Sequence, residues 1–136
     1  MGRVGHRGRV RVTLSATGPV PAAEAWRRYA RLELWPTWSP QLRRAEPGGE
    51  LTSGLTGRVY GPPGVHADFT VDRVDAPARS WAWTVRRGPL TVRLTHWIRA
   101  TPTGSRTWLL LDGPAPVVLG YAPVARWALH RLVTRP

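Results

Sequence analysis

Apolar and polar residues alternate along most of this chain, and that period of two predicts strands. From Arg9 to Thr17, Val10, Val12 and Leu14 fall on one side and Arg9, Arg11 and Thr13 on the other, as in a half-buried strand. Gly18-Pro19 ends it. Pro21 then suits the first position of a helix, Glu24 suits its positive end, and Trp26, Tyr29 and Ala30 share a face. A helix is predicted over 21–32. In Trp35-Pro36-Thr37-Trp38-Ser39-Pro40 the prolines permit at most one short helical turn. Strands follow over 42–46, 55–60, 66–75, 80–87, 90–100 and 106–112, separated by glycine- and proline-rich turns and a loop at 101–105. The clearest alternation sets Val92, Leu94, His96 and Ile98 against Thr91, Arg93, Thr95, Trp97 and Arg99.

The period changes in Gly113–Pro136. At about 100° per residue, Tyr121, Val124, Ala125, Ala128, Leu129 and Leu132 share a face, while Arg126, His130 and Arg131 fall outside it. This is an amphipathic helix of about five turns, with Pro123 expected to kink it. A long helix that ends a chain of strands buries its stripe by lying across a curved sheet. The expected class is α+β: a seven-stranded curved antiparallel sheet wrapped around the C-terminal helix, with a short helical pair after the first strand. A ligand has its natural place between helix and sheet.

Composition narrows the function. At 136 residues the chain reads as one domain over 9–136, preceded by a flexible basic N-terminus over 1–8. No apolar run approaches the roughly 20 residues of a membrane span, and Met1–Arg11 lacks the apolar segment of a secretory signal. The absence of cysteine excludes disulfides and thiol chemistry and fits a cytoplasmic protein. His6, His66, His96 and His130 are too far apart for zinc-ligand spacing, so no metal is expected. No Gly-x-Ser-x-Gly elbow or phosphate-binding glycine loop is present, and the eight acids suggest no catalytic dyad.

The net charge is +12, and since there is no lysine all 20 cations are arginine. They are scattered, with a dense group only at Arg3, Arg7, Arg9 and Arg11, which argues against nucleic acid. The charge instead fits an acidic partner such as a carrier protein, and both monomer and homodimer are compatible with the sequence.

Several segments resemble one family. Val20-Pro21-Ala22-Ala23-Glu24-Ala25-Trp26, the Trp35–Pro40 stretch, Val74-Asp75-Ala76-Pro77-Ala78-Arg79-Ser80-Trp81-Ala82-Trp83, and the His96 strand followed by Asp112-Gly113-Pro114 resemble the polyketide cyclase/dehydrase group of the START-like (SRPBCC, helix-grip) superfamily. The resemblance spans nearly the whole chain. It implies a helix-grip fold with an internal pocket for a small apolar or aromatic molecule, and no required cofactor.

His96 is the first candidate for chemistry. It sits in an apolar row, where burial would keep its imidazole neutral and able to act as a base. The competing role is a core histidine bonded to a backbone carbonyl. Tyr121, at the centre of the helix stripe, needs a partner for its hydroxyl, either a ligand carbonyl or the backbone. If the family geometry applies, His96 and Tyr121 face each other and form an acid/base pair for dehydrating a polyketone. Trp35 and Trp38 are expected at the rim. Tyr60, Phe69, Trp83, Leu94, Ile98, Val124 and Ala125 are expected to shape the cavity.

Of the eight tryptophans, Trp26, Trp81 and Trp83 read as core. Trp97 and Trp108 have outer-face parity beside Arg93 and Arg99, either as a cross-strand packing pair or as a surface for a protein or nucleic-acid partner. His66 and Asp68 are expected to point outward. The leading expectation is cyclisation, aromatisation or dehydration of an enclosed polyketide-like molecule. The alternative is non-catalytic binding or transport in the same pocket.

Overall fold

Seven strands pair antiparallel in the order β1-β7-β6-β5-β4-β3-β2. They are β1 (Arg9–Gly18), β2 (Arg44–Glu46), β3 (Thr56–Gly61), β4 (Val65–Asp75), β5 (Ser80–Arg87), β6 (Leu90–Thr101) and β7 (Gly104–Pro114). The helices are α1 (Ala22–Ala30), α2 (Trp35–Trp38) and α3 (Ala115–Thr134). The structure, a computed structural model, describes residues 8–62 and 64–136. Residues 1–7 of the basic N-terminus, expected to be flexible, lie outside the described residues.

Register turns the alternation of single strands into continuous apolar rows. One row runs Val12, Leu111, Leu94, Trp83 and Val71 from strand to strand. The next runs Leu14, Leu109, His96, Trp81 and Val74. Both lie on the face that α3 covers with Val118, Ala125, Ala128, Leu129 and Leu132, all buried. Rows of this kind fix register, because a slip of one residue would turn every apolar side chain outward.

The departures from the expected elements have local causes. The helix predicted over 21–32 ends at Ala30, because Arg31 turns extended and bridges Glu50, and the Leu32 amide donates to the Gly49 carbonyl. The strand predicted over 42–46 shrinks to three residues, because the Leu42 amide closes a turn onto Ser39. The 101–105 loop is instead a tight turn, with Thr101 paired to Gly104. A bulge at Asp72, between Val71 and Arg73, shifts the parity of β4 so that Val74 rejoins the inner row. Pro123 lies inside α3, which continues through it.

Close contacts clamp α3 to the sheet edge. The Val20 amide donates to the Val133 carbonyl at 3.0 Å. A Cβ on Gly18 would stand 2.2 Å from that same oxygen, so only glycine lets β1 approach so near. Arg28 donates to the Leu132 carbonyl at 2.8 Å and ties α1 to the same end of α3.

Candidate functional site

Between α3 and the sheet lies a cavity of about 500 Å³, within the roughly 300–1,000 Å³ of drug-sized ligand sites. The sheet contributes Val59, Ala67, Trp81, Trp83, Val85, Val92, Leu94, Leu109 and Leu111. Helix α3 contributes Val117, Val118, Tyr121, Val124, Ala125, Ala128 and Leu129, and the segment from Trp35 to Leu42 closes one side. Among the described residues, no arginine, aspartate or glutamate borders it. In a chain with 20 arginines that is a sharp separation, with charge outside and an uncharged apolar interior.

His96 borders this cavity, but its ring nitrogens are engaged in the wall. Trp83 Nε1–H donates to His96 Nε2 at 3.1 Å. An indole nitrogen can only donate, so the imidazole proton lies on Nδ1 and is donated to the Tyr29 hydroxyl at 3.1 Å. Tyr29 in turn donates to Thr107 Oγ1 at 3.2 Å, and Thr107 donates to the Trp97 carbonyl at 3.3 Å. The ring also stacks on Trp81, with centroids 4.5 Å apart and planes within 7°. The backbone carbonyl expected for a core histidine is replaced by two side chains.

Burial lowers the His96 pKa from 6.5 to about 3. As pH falls below 6.5, the unfolded chain takes up a proton on His96 that the folded chain refuses. Stability contributed by neutral His96 is therefore complete above the unfolded pKa and is lost on acidification toward the folded one. The expected slope is about 1.4 kcal/mol per pH unit below about pH 6. Urea unfolding at stepped pH reads it, and His96→Gln is expected to flatten the profile by that amount.

Tyr121 and Gln41 form a polar pair in the cavity wall. Gln41 Nε2–H donates to the Tyr121 hydroxyl at 2.5 Å, and burial pushes the phenol up to about 12, so it stays protonated. Ser39, also buried, borders the same cavity.

Trp35, Trp38, Trp83, Leu94, Val124 and Ala125 all border the cavity. Trp35 and Trp38 are buried wall rather than open rim, because their indoles donate to the Tyr29 and Arg28 carbonyls of α1. Three expected lining residues lie elsewhere. Tyr60 is on the outer face under Arg44, donating to Glu46, since its parity on β3 is opposite to Val59. Phe69 packs behind Trp35 and Trp83, and Ile98 is buried beyond His96 on β6. His66 and Asp68 have the expected outward parity, although His66 also touches the cavity edge. On the outer sheet face Trp97 and Trp108 stack across strands at 5.9 Å, Arg106 covers Trp108, and Arg93 pairs with Asp72.

A family model described as "Polyketide cyclase / dehydrase and lipid transport" matches residues 9–135. The chain belongs to this family. Two solved structures share its fold. Ara h 8.0201 is 17% identical with a TM-score of 0.73, over 92% of this chain and 95% of that one. The protein MLL2253 from Mesorhizobium loti is 19% identical with a TM-score of 0.75, over 90% of this chain and 93% of that one. No curated protein matches by sequence. The helix-grip architecture expected from the sequence is the one observed, and the family is one of hydrophobic-ligand-binding domains. Among the described residues no helix is long and apolar enough to cross a membrane.

Parts of this domain's cavity wall are not legible in any single strand. Leu109, Leu111, Val85 and Val92 follow from carrying the inner parity of Leu94 across neighbouring strands. Gln41 and Ser39 sit in an aperiodic proline-broken segment, where no pattern points to them.

Proposed function

We propose that this domain binds one small, uncharged, apolar or aromatic molecule inside the cavity between sheet and α3. One observation carries the reading: a cavity of about 500 Å³ with an apolar wall that, among the described residues, holds no arginine or acid, in a chain of net charge +12. Burying an apolar molecule there gains roughly 25 cal/mol per Å² removed from water, with no charge to desolvate. His96 serves the wall in this reading, with both nitrogens bonded to neighbours and little affinity for a proton.

Cyclisation or dehydration of a bound polyketide-like molecule is the second reading, and Tyr121 is the observation that favours it. Its O–H can polarise a ligand carbonyl while the dry wall confines one conformer. A proton acceptor would then come from the substrate itself or from water, not from His96.

Titration with the neutral dye N-phenyl-1-naphthylamine tests binding. Saturable one-to-one fluorescence enhancement with micromolar affinity is expected. A linear, unsaturable response would refute an open cavity.

A further inference from the structure

Antiparallel strands alternate in direction, so the β3–β4 turn, the β5–β6 turn and the start of α3 all lie at one end of the sheet. The Arg43 amide donates to the Tyr60 carbonyl, which brings residues 39–43 to the same end. Of the residues that border the cavity, the exposed ones are Pro62, Val65 and His66, in or next to the β3–β4 turn. Trp81, His96 and Leu129, deeper along the strands and α3, are buried. The cavity therefore has its mouth at this end.

The four segments that meet at the mouth, 39–43, 61–66, 86–90 and 115–121, hold three arginines and none of the chain's eight acids. Among the described residues, Arg43, Arg86 and Arg87 have no ion pair. The guanidinium groups of Arg86 and Arg87 donate to neutral oxygens, of Thr70 and His66. Three of the four exposed large apolar residues are also here: Val65 at 44%, Leu90 at 41% and Leu119 at 58%. Arg87 and Leu90 pair with the inner parity of Val85 and Val92, so they continue the cavity wall outward. Pro62, Pro89 and Pro116 stand exposed between them.

Single exposed aliphatic residues are ordinary on a surface, but three gathered at the mouth of an apolar cavity mark a contact. Pressed against a bilayer, Val65, Leu90 and Leu119 enter the acyl boundary. The arginines meet anionic headgroups, and no carboxylate at the mouth is repelled. We infer, resting on the binding reading above, that the mouth docks on an anionic lipid bilayer and that the apolar ligand passes between bilayer and cavity there without crossing water.

Flotation of the full chain with vesicles of phosphatidylcholine, alone or mixed with phosphatidylglycerol, tests this at physiological salt. The mixed vesicles are expected to carry the protein at least about tenfold better than phosphatidylcholine alone. Leu90→Asn with Leu119→Asn, and separately Arg43→Gln with Arg87→Gln, should each reduce that partition at least about fivefold. Trp127→Gln removes the fourth exposed apolar residue, about two turns further along α3 than Leu119, and should change nothing. Titration with N-phenyl-1-naphthylamine without vesicles is expected to give wild-type affinity in both double variants, which separates a docking defect from a lost cavity. If one pair fails to fold, the other decides.

A net charge of +12 by itself would also hold the protein on mixed vesicles. Binding that the leucine pair leaves unchanged, or that Trp127→Gln abolishes, therefore overturns the docking surface. So does a protein that binds neither vesicle, including one that sediments as a dimer dissolved by the leucine pair, which would give the mouth to a second copy of the chain. In each of these cases saturable dye binding by the wild-type protein leaves the cavity reading standing. Failure of the dye to bind overturns both.

Discussion

His96→Ala is expected to lower folding stability by about 3–5 kcal/mol, in the range of large buried truncations. The substitution does more than leave a hole. It strips the acceptor from Trp83 Nε1–H and the donor from the Tyr29 hydroxyl, both inside the core. It also removes the ring stacked on Trp81. Leaving buried partners unsatisfied adds about 1–3 kcal/mol per group to the cost of the cavity. Urea denaturation followed by tryptophan fluorescence measures this through the midpoint. Tyr29→Phe, which removes one link and keeps the packing, should cost about 1 kcal/mol. A His96→Ala protein as stable as wild type would show that the bonded chain from Trp83 to Thr107 contributes nothing to the fold.

Ala125→Phe is expected to weaken ligand binding at least about tenfold, the equivalent of roughly 1.4 kcal/mol. Ala125 is buried on α3 and borders the cavity, so a larger side chain there enters the empty volume. The new ring competes with the ligand for that space, at a stability change within about 1–3 kcal/mol. Trp127→Gln on the same helix is the control. Trp127 is 55% exposed, on the side of α3 that faces away, and its replacement should leave affinity unchanged. Titration of both variants with N-phenyl-1-naphthylamine separates them. Equal affinities would mean that the dye binds outside the cavity.

The strands and α3 were legible because each carries its own period. Val92, Leu94, His96 and Ile98 announce an inner face, and so does the stripe from Tyr121 to Leu132. What a strand packs against depends on partners far away in sequence. His96 was visible as a polar residue in an apolar row, yet its role depends on Tyr29, 67 positions earlier, and Trp83 on the next strand. Tyr29 reads only as one aromatic on a helical face until α1 is docked. Tyr60 misled because its aromatic character outweighed its parity, which register with Arg44 and His66 puts outside. The Asp72 bulge has no composition signal, so the return of Val74 to the inner face could not be read from alternation. Gln41 was invisible for a different reason. It lies in a segment where prolines replace periodicity, and only the fold carries it to Tyr121 on α3, 80 positions away.

Methyl-resolved NMR during titration with naphthalene locates the bound molecule directly. Val92, Leu94, Leu109 and Leu111, which line the cavity, are expected to shift together and saturate. Leu51, buried away from the cavity wall, and Leu119, exposed on α3, should stay in place. Shifts confined to Leu119 and the exposed Leu90, with the cavity methyls unmoved, would contradict an interior binding site.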